Sequence, residues 1–306
     1  MRCILSADCG ANGLRLKAWR IFAMKAPELP CQTAAYTALN SPGAQAEARL
    51  LHEKSPSQRP YLQLDVPADP GGRVSYELTY TATLAPLRLV PGKGRAPVQP
   101  PQDQERDDAL RPNRTIAYKE PFFQAWMARE KLLREPGERD LEFASRVHDY
   151  ITRHFSPGNS GDYGNGCVAS NVVRAGQSSC GGFSVLFASL MRANRIPARV
   201  RFGRWINGQV HVKADFWAEG VGWVNVETAV AVRDWRADPA AIERTFGNEE
   251  GIFMTFHADT DMLIPDLDGR DRNVPFMQFG GAWWQGEGVE RDWSAHEAWR
   301  MEDLGP

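Results

Sequence analysis

Between residues 74 and 84 the chain alternates strictly, with Val74, Tyr76, Leu78, Tyr80, Ala82 and Leu84 set against Ser75, Glu77, Thr79, Thr81 and Thr83. A period of two predicts a strand with one face buried, and Tyr61, Leu62 and Leu64 suggest a second strand before it. Further on the period lengthens. Leu141, Ala144, Val147, Tyr150 and Ile151 fall on one face of a helix, so Glu138 to Phe155 is read as helical, as is Phe122 to Leu133, with Gly137 between them. Phe183, Leu186, Phe187, Leu190 and Met191 make the stripe of a buried helix that Ser178 or Ser179 can cap and that Asn194 with Pro197 closes. Ala198 to Trp205 and Val210 to Trp217 read as strands joined at Asn207-Gly208, and Trp223 to Glu227 follows Gly220 and Gly222 as a third.

Elsewhere the pattern is weaker. Residues 1 to about 60 show little periodicity, and the Ala-rich stretch from Ala44 to Leu51 suggests a short helix. Pro91 to Pro112 mixes prolines, glycines and charges, which predicts an exposed connection and a domain boundary. Ser156 to Gly176 is rich in Gly, Ser and Asn and reads as a loop. The expected organisation is a β-rich N-terminal region with its linker (1–112), a core (113–240), and a β or irregular C-terminal extension packed on the core (241–306). The region before Pro91 is expected to be separable from the rest.

At 306 residues the chain can bury a sizeable core, and 36 Lys+Arg against 38 Asp+Glu leave no general field favouring nucleic acid or an anionic membrane. No apolar run is long enough for a membrane span, and no secretory signal is visible because Met1-Arg-Cys-Ile-Leu-Ser-Ala breaks at Asp8. A soluble, by default cytoplasmic, protein is the expectation. Five cysteines at irregular spacing suit neither a disulfide framework nor a zinc site, so reduced thiols are expected.

One of those thiols has a place suited to chemistry. Cys180 falls in the first turn of the buried helix, where unpaired backbone N–H groups and the positive end of the dipole favour thiolate. Gly181 and Gly182 beside it offer small side chains that would let a substrate carbonyl reach the sulfur. On the strand Val210 to Trp217, His211, Lys213, Asp215 and Trp217 share the polar face. A three-residue loop centred on Glu219 would set His211 directly opposite Glu227, whose carboxylate could then orient the imidazole. A one-residue slip of that register would separate them.

These residues resemble a known family. Ser179-Cys-Gly-Gly-Phe-Ser, then Leu190-Met-Arg-Ala-Asn-Arg-Ile-Pro-Ala-Arg-Val, then His211, then Gly222-Trp-Val-Asn-Val-Glu-Thr look like the transglutaminase-like core, over roughly Glu138 to Val232. The resemblance implies an α+β, papain-like fold in which the helix carrying the cysteine packs on an antiparallel sheet, preceded by the β-rich unit. It implies Cys180 as nucleophile, His211 as base and Glu227 in the acid slot. That slot usually holds Asp, so Glu227 is a departure. The activity implied is thiol acyl transfer on peptide or protein amides, as a hydrolase or a transamidase, without a cofactor. The rival from another class is an inactive binding scaffold, motivated by Glu227.

Secondary candidates surround this centre. Gln177 could donate its amide to an oxyanion alongside the Cys180 backbone N–H. Trp205, Trp217 and Trp223 could wall a substrate channel, although core filling is the favoured account. Asp215 is a competing orienter, ranked below Glu227 because it stands four positions from His211 along one strand. His148 and His154 suit structural roles, and Asp266-Leu-Asp-Gly-Arg-Asp reads as a polar turn rather than a calcium loop. The expected partner is a peptide or protein substrate, with no nucleic acid, membrane or metal, and the oligomeric state is not readable.

Overall fold

The computed structural model describes residues 1–43, 45–69, 72–90, 100–161, 167–278 and 280–304. It is an α+β protein built on two main antiparallel sheets. The first has six strands: β1 (Arg2–Met24), β2 (Gln32–Asn40), β3 (Arg49–His52), β4 (Pro60–Pro67), β5 (Arg73–Leu84) and β16 (Gly281–Glu302). Its order is β2-β5-β1-β4-β3, with β16 lying along β1. The alternation read at 74–84 is β5, whose Val74, Tyr76, Leu78, Tyr80 and Ala82 are buried. Over the described residues 45–51 the helix expected at 44–51 does not form: Arg49–His52 is β3, paired with β4, because strand pairing outweighs the local helical preference of a few alanines.

The connection read at Pro91–Pro112 follows the short β6 (Leu87–Arg88) and contains a helix, α1 (Asp103–Asp108). Its residues 91–99 lie outside the described residues. The predicted helices are α2 (Pro121–Arg129) and α3 (Asp140–His154). Short parallel strands β7 (Ser156–Pro157) and β8 (Gln177–Ser178) flank α4 (Ala169–Ala175), which interrupts the stretch read as loop. Then comes α5 (Cys180–Ala193), in which Phe183, Leu186, Phe187, Leu190 and Met191 are all buried. Burial of each such side chain is worth roughly 1.5–3 kcal/mol, enough to fix the helix despite two glycines in its first turn.

The second sheet has the order β11-β10-β9-β13, from β9 (Ala198–Trp205), β10 (Val210–Ala218), β11 (Gly222–Val226) and β13 (Phe253–Ala258). Between β11 and β13 lie α6 (Thr228–Asp234), α7 (Ala241–Arg244) and β12 (Asn248–Glu249), the last paired with β6. β14 (Met262–Pro265) and β15 (Asp271–Val274) form a hairpin. Its turn is the aspartate cluster: Asp266 accepts from the backbone N–H groups of Asp268 and Arg270 and from Arg272, the polar turn expected. One face of the second sheet, with Val200, Phe202, Val212, Ala214, Phe216 and Val224, shares a core with α5 and α3.

The other face was expected to be a polar surface, yet Lys213 and Asp215 are buried on it. The N-terminal region covers it. Arg201 reaches Cys31 Sγ at 2.9 Å, and Gln32 exchanges two hydrogen bonds with the Thr255 backbone, both 2.8 Å. Phe256 stacks on Tyr80 at 4.2 Å, and Met254 and Phe256 belong to the core of the first sheet. Such shared burial argues against the separability read from sequence. Deleting residues 1–113 is expected to give a chain without a cooperative melt. A truncated chain with the near-ultraviolet circular dichroism of the intact one would refute this.

Candidate active site

Position along α5 and β10 brings the proposed nucleophile and base together. Ser184, one turn into α5, donates its hydroxyl to the Val212 carbonyl at 3.1 Å, clamping the start of the helix onto the strand next to His211. Cys180 is half-buried at the first position of the helix, where intrahelical carbonyls leave the N–H groups unpaired. The Cys180 side chain lies close enough to the His211 ring to favour its charged form. The ring Nε2 lies 2.7 Å from Glu227 Oε1, which leaves Nδ1 as the ring nitrogen not engaged by the carboxylate.

The two glycines after Cys180 are buried and do not open a path for substrate. A Cβ on Gly182 would come 1.9 Å from Ser178 Oγ, and one on Gly181 would come 3.0 Å from Cys167 Sγ. The helix starts with glycine because the protein packs against it there. Cys167, which sequence reasoning passed over, is thus a second thiol near Cys180. Burial first, and then the charge at Cys180, push its thiol up to about 11, so it stays protonated at neutral pH.

Glu227 is not directly opposite His211. The hairpin turn is centred on Gly220 (φ 73°) rather than Glu219, and pairing of Ala214 with Val226 makes Lys213 the residue that faces Glu227. The displacement is by two positions, which preserves the face, whereas a slip by one would have inverted it. His211 and Glu227 are therefore diagonal neighbours. Cβ atoms in such a relation stand roughly 2 Å further apart than directly opposed ones. The extra methylene of Glu over Asp spans that diagonal, a structural reason for the departure at this slot. The Glu227 backbone is fixed on both sides, donating to the Thr245 carbonyl at 2.8 Å and accepting from Ala231 N–H as α6 begins.

Burial opposes a charge on His211, but attraction to the Glu227 carboxylate, together with the neighbouring Cys180 side chain and the hydrogen bond to Glu227, outweighs it and pushes the imidazole up to about 9. At neutral pH the ring is thus an imidazolium, poised between a carboxylate and a sulfur.

The remaining candidates divide. Trp205 stands at the site, its ring 5.2 Å from that of His211, and Phe253 meets the imidazole edge-on at 6.2 Å. Phe253 was not singled out in the sequence, because only the pairing of β13 with β9 brings it there. Trp217 and Trp223 do not wall this site. They pack on each other at 5.8 Å, roughly 20 Å along β10 from His211, near Arg199 and Leu87. Gln177 is exposed and donates its amide to the Asn159 carbonyl at 2.9 Å, so one of its two hydrogens holds the neighbouring segment. Asp215 pairs with Arg199 at 3.2 Å and Arg201 at 3.1 Å, which occupies it away from His211. His148 is buried against Thr245 at 3.0 Å, and burial holds it down at about 4. The described residues contain no cluster of three or more His, Cys, Asp or Glu able to hold a metal.

Residues 129–228 match the family model of the transglutaminase-like superfamily. The fold is shared over the full chain with a structure from Cytophaga hutchinsonii assigned as a candidate cysteine protease, at 14% identity and a TM-score of 0.55, covering 93% of that protein. The periplasmic domain of TgpA from Pseudomonas aeruginosa is also similar, at 12% identity and a TM-score of 0.37, over 79% of this chain and 92% of that one. No curated protein matches. Among the described residues no helix is long and apolar enough to cross a membrane.

Proposed function

We propose that the chain is a thiol acyl-transfer enzyme acting on peptide or protein amides, with Cys180 as nucleophile, His211 as acid and base, and Glu227 as the group that orients His211. The observation that carries this reading is that one imidazole lies 2.7 Å from Glu227 Oε1 and is influenced by the neighbouring Cys180 side chain. Nucleophile, base and orienter in hydrogen-bond reach are the geometric requirement for nucleophilic catalysis.

In this reading the Cys180 sulfur attacks the amide carbonyl carbon, and the carbonyl π electrons move onto oxygen. The developing oxyanion meets the backbone N–H of Cys180 at the helix N-terminus. His211 gives its proton to the departing amine, and the neutral imidazole then takes a proton from the incoming acceptor as the thioester is broken. Water as acceptor gives hydrolysis and a primary amine gives transamidation.

Incubating the intact protein with casein-like peptides and a primary amine, followed by mass spectrometry, separates cleavage, deamidation and amine addition. Products of any of these kinds that require Cys180 support the proposal. If no such product forms and iodoacetamide alkylates Cys180 at pH 6 no faster than it does a free thiol, with or without His211, the inactive scaffold is the better reading.

A further inference from the structure

We propose that Lys213 is a positioning residue for this site, a buried cation shared between two carboxylates that holds Glu227 in place and limits how strongly it binds the His211 imidazolium. The inference rests on the roles given above to His211 and Glu227.

Lys213 lies next but one to His211 on β10, on the same face, and is directly across from Glu227 in the strand register. It is 2% exposed. Its Nζ is 3.2 Å from both carboxylate oxygens of Glu249 and 3.9 Å from Glu227 Oε2. Glu227 Oε1 is engaged by His211, whereas Oε2 is buried and accepts no hydrogen bond among the described residues. A buried carboxylate oxygen in that state is costly unless a cation stands near it, and Lys213 is that cation. The ammonium also sits over the rings of Trp205, at 4.0 Å, and Phe253, at 4.8 Å. Those two aromatics also contact the His211 ring, so the same walls fix lysine and histidine.

The geometry makes the ammonium a divided resource. Glu249, anchored by Arg201, is closer to it than Glu227 is. Other charged or titratable groups facing this assembly are Cys180 from α5, Arg201 and Asp215 from the sheet, His148 from α3, Arg233 from α6 and Cys31 from the N-terminal layer. None of them stands between Lys213 and Glu227 in the register. Removing the lysine charge leaves Glu227 attracted to the imidazolium alone. Removing the Glu249 charge releases the ammonium to Glu227, which weakens that attraction.

The two changes should therefore move the His211 titration in opposite directions. In the intact protein, His211 is followed by imidazole nitrogen chemical shifts, assigned by their loss in His211→Gln. Lys213→Met, which keeps the apolar stem, should shift the midpoint upward from about 9 by roughly one pH unit. Glu249→Gln should shift it downward. In the active enzyme the alkaline limb of kcat/KM should follow in each case. Folded variants whose midpoints are unmoved, or move the same way, overturn the proposal. If Lys213→Met does not fold, Glu249→Gln decides alone: a downward shift supports the proposal and any other result overturns it. The titration needs no turnover, so an inactive wild-type protein would defeat the catalytic reading without deciding this one.

Discussion

Cys180→Ala is expected to abolish Cys180-dependent turnover, a loss of roughly 10³-fold or more, while leaving the thermal melt close to that of the parent. The sulfur is half-exposed at the first position of α5. Its replacement removes little buried apolar surface, and the helix is held by the side chains of Phe183, Leu186, Phe187 and Leu190 further along. His211 in this variant keeps its Glu227 partner at 2.7 Å, so the site should stay assembled. Steady-state rates on the peptide substrate, compared at equal folded concentration, check this. A folded alanine variant with parental turnover would remove Cys180 from the mechanism.

Changing Glu227 should have the second largest effect, through the diagonal relation to His211. Glu227→Asp restores the residue common in the family but withdraws the carboxylate by one carbon–carbon bond, about 1.5 Å. The backbone cannot follow, since it is tied to Thr245 and to the start of α6. A misplacement of this size is expected to lower kcat roughly 10²-fold. Glu227→Gln keeps the reach but can present a donor where Nε2–H needs an acceptor, and should lower the rate at least as much. The two variants are distinguished by their pH profiles: the aspartate variant retains a negative charge near the imidazole, and the glutamine variant lowers the alkaline limb of kcat/KM below about 9. Parental kinetics for Glu227→Gln and Glu227→Ala, combined with a strong defect in Asp215→Ala, would move the orienting role to Asp215.

The hairpin that carries His211 shows how far local signals reach. Asn207-Gly208 and the alternation after it set β9 and β10 within one residue, because turn chemistry and period are properties of adjacent residues. The next turn was misplaced by one residue, onto Glu219 instead of Gly220, since several polar or glycine residues there could serve. Parity of the strand nevertheless kept His211 and Glu227 on one face. The distinction between opposed and diagonal placement, and with it the need for Glu at this slot, required the register itself. Residues 1–60 were least legible. β1 is a 23-residue strand that buries Cys3, Leu5 and Ala7 and then Trp19, Ile21 and Ala23 on one face, but Phe22 and Met24 on the other are buried as well, which blurs the alternation in the sequence.

The order of Cys180, His211 and Glu227, the helix on which the cysteine starts and the strand on which the histidine stands are all written in local pattern, because capping, amphipathic spacing and turns act over a few residues. Burial of the polar face of β10 is not. Lys213 and Asp215 read as part of a polar face in sequence, and with Arg201 they are enclosed only because Cys31, Gln32 and Glu249 arrive from elsewhere in the chain. The same packing removed Trp217 and Trp223 from the site, added Phe253 and Lys213 to it, and placed Cys167 against Gly181. Charge pairing and burial depend on distances between segments that the chain brings together only when folded, so the local sequence carries the catalytic residue types and the tertiary structure sets their electrostatic surroundings.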